Sequence, residues 1–152
     1  MPVVPVSDVI ACQRATYQRG ERLVQWKPAS FYHLIEIFGW NRRISDDITA
    51  RVTRDEDGHL NNPLGLLYHE IIASSLPKVT LNGTIAERGT IGLGVDKRGQ
   101  MLHAAVHEAH PDVRCVVHLN TPATITVSCT KTGLLPVSQV SLTIGETVLY
   151  DL

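Results

Sequence analysis

No apolar run in this chain approaches the roughly 20 residues that cross a bilayer, so direct membrane insertion is not expected. The opening MPVVPVSDVIAC has no basic region ahead of a long apolar core, and no secretory leader is expected there. Cysteine is sparse. Cys12, Cys115 and Cys129 are far apart and odd in number, which fits neither a disulfide framework nor a Cys-x-x-Cys metal motif. A reducing, cytoplasmic setting is the simpler expectation. An excess of charge is also missing. A net charge of -1 and a pI near 6.6 give no electrostatic reason to expect nucleic acid as a partner. Arg42-Arg43 and Lys97-Arg98 are pairs rather than patches. There is no Gly-x-Ser-x-Gly elbow, Walker loop or dinucleotide fingerprint. GTIGLG (Gly89 to Gly94) lacks the lysine and the spacing of a phosphate loop and reads as a turn. No repeat, low-complexity tract or linker divides the chain.

What is present suits one α/β domain. Hydrophobic residues make up 43% of 152, charged residues 19%, and mean hydropathy is +0.01, so a real core is within reach. Ser7-Asp8 is placed to cap a first helix that Pro28 should end. Phe31, Leu34, Ile35 and Phe38 predict a second helix starting near Ser30, with Gly39 as its C-terminal cap. DITARVTRDEDGHLN alternates around Asp57-Gly58, and KVTLNGTIAE around Asn82-Gly83; both predict hairpins. A short helix is expected near YHEIIASSL, a longer one over GQMLHAAVHEAH, and a buried strand over VRCVVHL. Thr121 and Pro122 are a cap and a first helical residue for the segment that follows, although its β-branched residues weaken that helix. The closing LLPVSQVSLTIGETVLYDL ends in strand-like material.

Two groups of residues are candidates for chemistry. His103, His107 and His110 follow i, i+4, i+7 spacing on one helix face, where surface histidines are the simpler reading. His118 ends the apolar run and Asn120 follows two residues later, so their side chains should point the same way. An amide is a poor substitute for imidazole, because zinc sites are built from Cys, His, Asp and Glu. Spacing alone makes His118 a structural histidine.

Three phrases, NPLGLLYHEIIASSLPKV, GVDKRGQMLHAAVHEAHPDVRCVVHLNTPA and GLLPVSQVSLTIGE, resemble the class II aldolase and adducin head-domain family. They occur in the family's order and cover the chain from about Cys12 onward. The Pro-Asp-Val-Arg-Cys wording and the GLLPVSQ ending are closer to animal adducins than to bacterial sugar-phosphate aldolases. The resemblance implies a three-layer α/β/α fold around a central mixed sheet, with its C-terminal part missing. Residues 1–152 are accordingly expected to form a single, incomplete head-like domain.

The same resemblance bears on chemistry. Family aldolases hold zinc with three histidines and use a glutamate as acid and base, the metal acting as a Lewis acid on the substrate carbonyl. Carried over by position, the first ligand is His118, the second falls on Asn120, and the third lies beyond Leu152. The glutamate falls at or next to Gly99. The family's phosphate cradle maps to Asp46-Asp47, whose carboxylates should repel a phosphate dianion. Gly65 matches a phosphate-contacting backbone position, while Leu64 stands where a hydroxyl would serve. The expectation is therefore a non-catalytic, cofactor-free head domain whose His118–Asn120 metal position is vestigial. It would oligomerise with adducin-like heads and act in scaffolding at the actin–spectrin membrane skeleton, in the cytoplasm at the inner face of the plasma membrane. The alternative is a zinc-dependent class II aldolase or epimerase acting on a small phosphorylated sugar.

Overall fold

The computed structural model describes residues 19–41, 47–52 and 58–148, with side chains in the first helix from residue 24 onward. The expected Ser7-Asp8 cap, Cys12, Arg42-Arg43, Asp46, Asp57 and the last four residues lie outside these segments.

Helix α1 (Arg19–Ile37) runs unbroken through Pro28, where two helices were expected. A proline in a helix interior removes one i→i−4 hydrogen bond and costs about 3 kcal/mol. Here a single buried stripe, Gln25, Pro28, Ala29, Tyr32 and Ile35, crosses the proline. Burying a large apolar side chain contributes about 1.5–3 kcal/mol, so packing on both sides of Pro28 outweighs the missing bond. The helix ends where the sequence places its cap. Gly39 adopts φ +65°. Its N–H donates to the Glu36 carbonyl (3.1 Å), and the Trp40 N–H donates to Ile35 (2.9 Å), which closes a Schellman motif.

Five short strands follow: β1 (Ile48–Arg51), β2 (Gly58–Leu60), β3 (Lys78–Thr80), β4 (Ile85–Glu87) and β5 (Cys115–Val117). Their order in the sheet is β4-β3-β2-β1-β5. Every described pairing is antiparallel, which corrects the mixed sheet expected above. The cause is connectivity. The chain reaches β5 from β4 through helix α2 (Lys97–Ala109), and these two strands run in the same direction. They lie at opposite edges, so no parallel neighbours meet.

The Asn82-Gly83 hairpin forms, and β1 and β2 pair antiparallel as expected, although the connection between them, Asp57 included, lies outside the described residues. Gly83 takes φ +84° beside Asn82, as a tight β3–β4 turn requires. In the β1–β2 pair Gly58 is already a strand residue, with Ala50 opposite Leu60 and Arg51 opposite His59. The YHEIIASSL segment forms two 3-10 turns, Tyr68–Glu70 and Ala73–Ser75, rather than one helix. Glu70 Oε2 accepts from the Leu67 N–H (2.9 Å) and Ser75 Oγ accepts from the Ile72 N–H (3.2 Å), so each turn is closed locally. The strand expected to be buried, β5, is exposed at Cys115 and Val117 because it has a neighbour on one side only among the described residues.

Helix α3 (Pro122–Ser128) begins as predicted, with Thr121 Oγ1 accepting from the Thr124 N–H (3.1 Å). The closing stretch contains a short helix that the sequence did not announce, and its expected strand-like end lies partly outside the described residues. Ser138 Oγ accepts from the Ser141 N–H (3.1 Å) and starts α4 (Gln139–Ile144), which ends at Gly145 with φ +85°.

Alternation along the strands divides the sheet into two unlike faces. Ile48, Val52 and Leu60 face α1 and join Ala29, Tyr32, Ile35, Tyr68, Ile71 and Leu76 in the apolar core. Tyr32 fixes this layer: its hydroxyl donates to the Ile48 carbonyl (2.8 Å) and accepts from the Ile48 N–H (3.1 Å). The opposite face, under α2, is polar.

Candidate functional site

Helix α2 starts at Asp96, whose side chain accepts from the Arg98 N–H (3.2 Å). Its buried residues are Gln100, His103, Ala104 and His107, one stripe at i, i+3, i+4 and i+7. His103 and His107 are therefore interior residues, not the surface residues expected, while His110 is exposed. The more apolar Met101 and Leu102 lie outward, 69% and 54% exposed.

The sheet meets this stripe with Thr49, Arg51 and His59. Thr49 Oγ1 lies 2.9 Å from His103 Nδ1 and 2.9 Å from His107 Nε2, bridging the two rings. Arg51 Nη2 donates to the His107 carbonyl (2.6 Å). The His59 ring stacks on His107 with centroids 5.3 Å apart. Burial and the neighbouring His107, His103 and Arg51 lower the His59 pKa to about 4. Burial, with His118 and His107 nearby, lowers His103 to about 4 as well. His107 is lowered by burial and by Arg51. The Val113 carbonyl opposes that shift without closing a hydrogen bond of good geometry. At neutral pH the three rings are uncharged.

His118 and Asn120 follow β5 and do point the same way, with Asn120 Nδ2 3.4 Å from His118 Nε2. Both are half-buried. The His118 N–H donates to the Asp47 carbonyl (2.9 Å), which ties this corner to the start of β1. Asp47 is itself buried, and its carboxylate fills the space beside Gly99 in the first turn of α2. Gly65 lies in an exposed turn at φ +93°, and the adjacent Leu64 N–H donates to Gly94 (2.7 Å). Among the described residues, no three His, Cys, Asp or Glu side chains are placed to hold a metal ion. One imidazole beside an amide does not fit a three-histidine zinc centre.

Sequence reasoning missed Thr49, Arg51 and His59 as partners of the helix histidines. The signal was present in two halves. Alternation puts Thr49 and Arg51 on one face of β1, and hairpin register puts His59 opposite Arg51.

The family model for the class II aldolase and adducin N-terminal domain matches residues 27–151. The chain is 45% identical to alpha-adducin of Rattus norvegicus over 149 residues, 98% of this chain and 20% of that protein. It is 40% identical to beta-adducin of Homo sapiens over 149 residues, again 98% of this chain and 20% of that protein. An aldolase II superfamily protein from Pseudomonas syringae superposes with a TM-score of 0.78 at 40% identity, covering 83% of this chain and 50% of that one. The chain thus spans about a fifth of the length of these adducins and half of the solved neighbour.

Proposed function

Because the chain belongs to the class II aldolase and adducin N-terminal domain family, we propose that it is a non-catalytic adducin-like head, used for self-association and scaffolding at the actin–spectrin membrane skeleton. The observation that carries this reading is the 45% identity to alpha-adducin across 98% of the chain. The donor chemistry supports it. At the position where the resemblance asks for a second imidazole, Asn120 offers a neutral amide turned toward His118 Nε2. His118 and Asn120 are on this reading a vestigial metal position, Gly65 a relic of a phosphate turn, and residues 1–152 one head-like domain.

The flank of the sheet supports self-association. Val116 pairs with Thr49 inside the ladder, so Cys115 and Val117 direct their backbone groups away from β1. A cleft of about 530 Å³ opens there, lined by Val24, Phe31, Ile48, Val52 and Val117 among others. A strand edge that has no neighbour among the described residues, beside apolar surface, favours pairing with another chain.

The test is the mass of the purified chain by light scattering, together with its co-purification with an alpha-adducin head. Stable oligomers, weakened by Val117→Lys, are expected. A strictly monomeric chain that binds no adducin head would overturn the reading.

One observation favours a second reading, the zinc-dependent aldolase or epimerase. The Asp47 carboxylate occupies the space at Gly99, where the resemblance places the acid/base group. Near-stoichiometric zinc that is lost in His118→Ala, with turnover of a phosphorylated sugar, would establish it.

A further inference from the structure

The two layers that close the sheet are held by different chemistry. Hydrocarbon fills the space under α1, whereas α2 buries one alanine, one glutamine and two imidazoles. The groups facing these imidazoles can be named from each side. Strand β1 contributes Thr49 and Arg51, and the residue before it is Asp47; β2 contributes His59; and β3 contributes the uncharged Val79, opposite His59. The turn after β5 contributes His118, and the segment before it the Val113 carbonyl. Asp47 is the carboxylate of the set, and it sits at Gly99, eight residues before His107. That is about 12 Å along a helix axis. The nearer charge is the Arg51 guanidinium, already bonded to the His107 carbonyl.

His59 and His107 are both almost fully buried. Among the described residues, neither ring nitrogen of His59 has a hydrogen-bond partner, and neither does His107 Nδ1. A proton on either ring would create a cation stacked on an imidazole, beside a guanidinium, in a site almost closed to solvent. The strain falls on the contact between α2 and the sheet, because these rings lie within it.

We propose that the stacked His59–His107 pair is an acid-sensitive latch, whose protonation releases helix α2 from the sheet while the α1 layer stays folded. The released form takes up the proton at the ordinary imidazole pKa, near 6.5, and the closed form only near 4 at His59. Closure is therefore complete above about pH 6.5 and weakens as pH falls through that window. For His59 alone, going from pH 7.5 to pH 5 raises the open-to-closed ratio on the order of 30-fold.

Hydrogen–deuterium exchange of the full 152-residue chain, corrected for intrinsic amide rates, tests this at pH 7.5 and pH 5. Peptides within 97–109 should lose protection by at least roughly 30-fold at pH 5 while those within 24–37 keep theirs. His59→Phe keeps a stacking ring that takes no proton, and should reduce the change by a factor on the order of 30, leaving the part carried by His103 and His107. Unaltered α2 protection at pH 5, or loss in step with α1, would overturn the latch. Should the variant not fold, NMR titration of the wild-type imidazoles decides. Uptake at His59 that coincides with loss of α2 protection supports the proposal. Ordinary titration near pH 6.5 with α2 still protected refutes it.

Discussion

Asp47 and Gly99 occupy one space: a Cβ on residue 99 would lie 1.6 Å from Asp47 Oδ2 and 2.7 Å from its Cγ. Glycine is otherwise a poor helix residue, about 1 kcal/mol worse than alanine, and its place in α2 is explained by the carboxylate. Gly99→Ala should therefore destabilise the chain by about 1–3 kcal/mol in urea unfolding, despite its better helix propensity. Adding Asp47→Ala should recover part of that loss, and a double-mutant cycle should show coupling above about 1 kcal/mol. Strict additivity would show that the two residues do not contend for the same volume.

A backbone contact of the same kind fixes the loop after β4. A Cβ on Gly89 would lie 2.0 Å from the Ser75 carbonyl oxygen, and the Thr90 N–H donates to Ser74 (2.9 Å). Gly89→Ala should lower the melting temperature, by an amount corresponding to roughly 2 kcal/mol or more, because main chain must move. Gly94→Ala is the control. Nothing lies within 4 Å of its Cβ position, so thermal unfolding should change little.

The bridge at Thr49 predicts a different result for two small changes. Thr49→Val keeps the shape and removes the hydroxyl that both His103 and His107 contact, leaving buried ring nitrogens unpaired. A loss of about 1–3 kcal/mol is expected. Thr49→Ser keeps the hydroxyl and should lose less, as judged by chemical denaturation at pH 7.5.

Global stability should fall in acid. The folded-state pKa of His59 is lowered to about 4, so between there and 6.5 the unfolded chain binds the extra proton. At pH 5 this one residue removes about 2 kcal/mol relative to pH 8. His103, lowered for similar reasons, adds to the loss. Urea midpoints followed by tryptophan fluorescence from pH 8 to pH 4 check the sign, and a flat profile would contradict the buried, neutral state of these rings.

Features decided by local chemistry were legible in the sequence. The Gly39 cap, the Asn82-Gly83 turn and the Thr121-Pro122 helix start each depend on residues within a few positions of one another. The family resemblance likewise pointed to helices packed on a sheet. Features decided by distant partners were not legible. Pro28 reads as a terminator until the stripe from Gln25 to Ile35 finds a core. VRCVVHL reads as buried because its apolarity carries no record of how many neighbours β5 has. The face of α2 was misread for the same reason. Met101 and Leu102 are the more apolar choice, yet Thr49, Arg51 and His59 select the histidine side. For the candidate site, strand alternation correctly placed His118 beside Asn120, and nothing near Gly99 in sequence announced Asp47.

The hydroxyl of Thr49 has a single hydrogen, yet it stands between two neutral rings. It can donate to only one of them and must accept from the other. If it donates to His103 Nδ1, both histidines carry their proton on Nε2; if it donates to His107 Nε2, both carry it on Nδ1. The two tautomers are therefore matched, and one ring cannot exchange without the other. A residue with no charge and no pKa of interest thus sets where two protons reside, fifty-odd positions away along the chain.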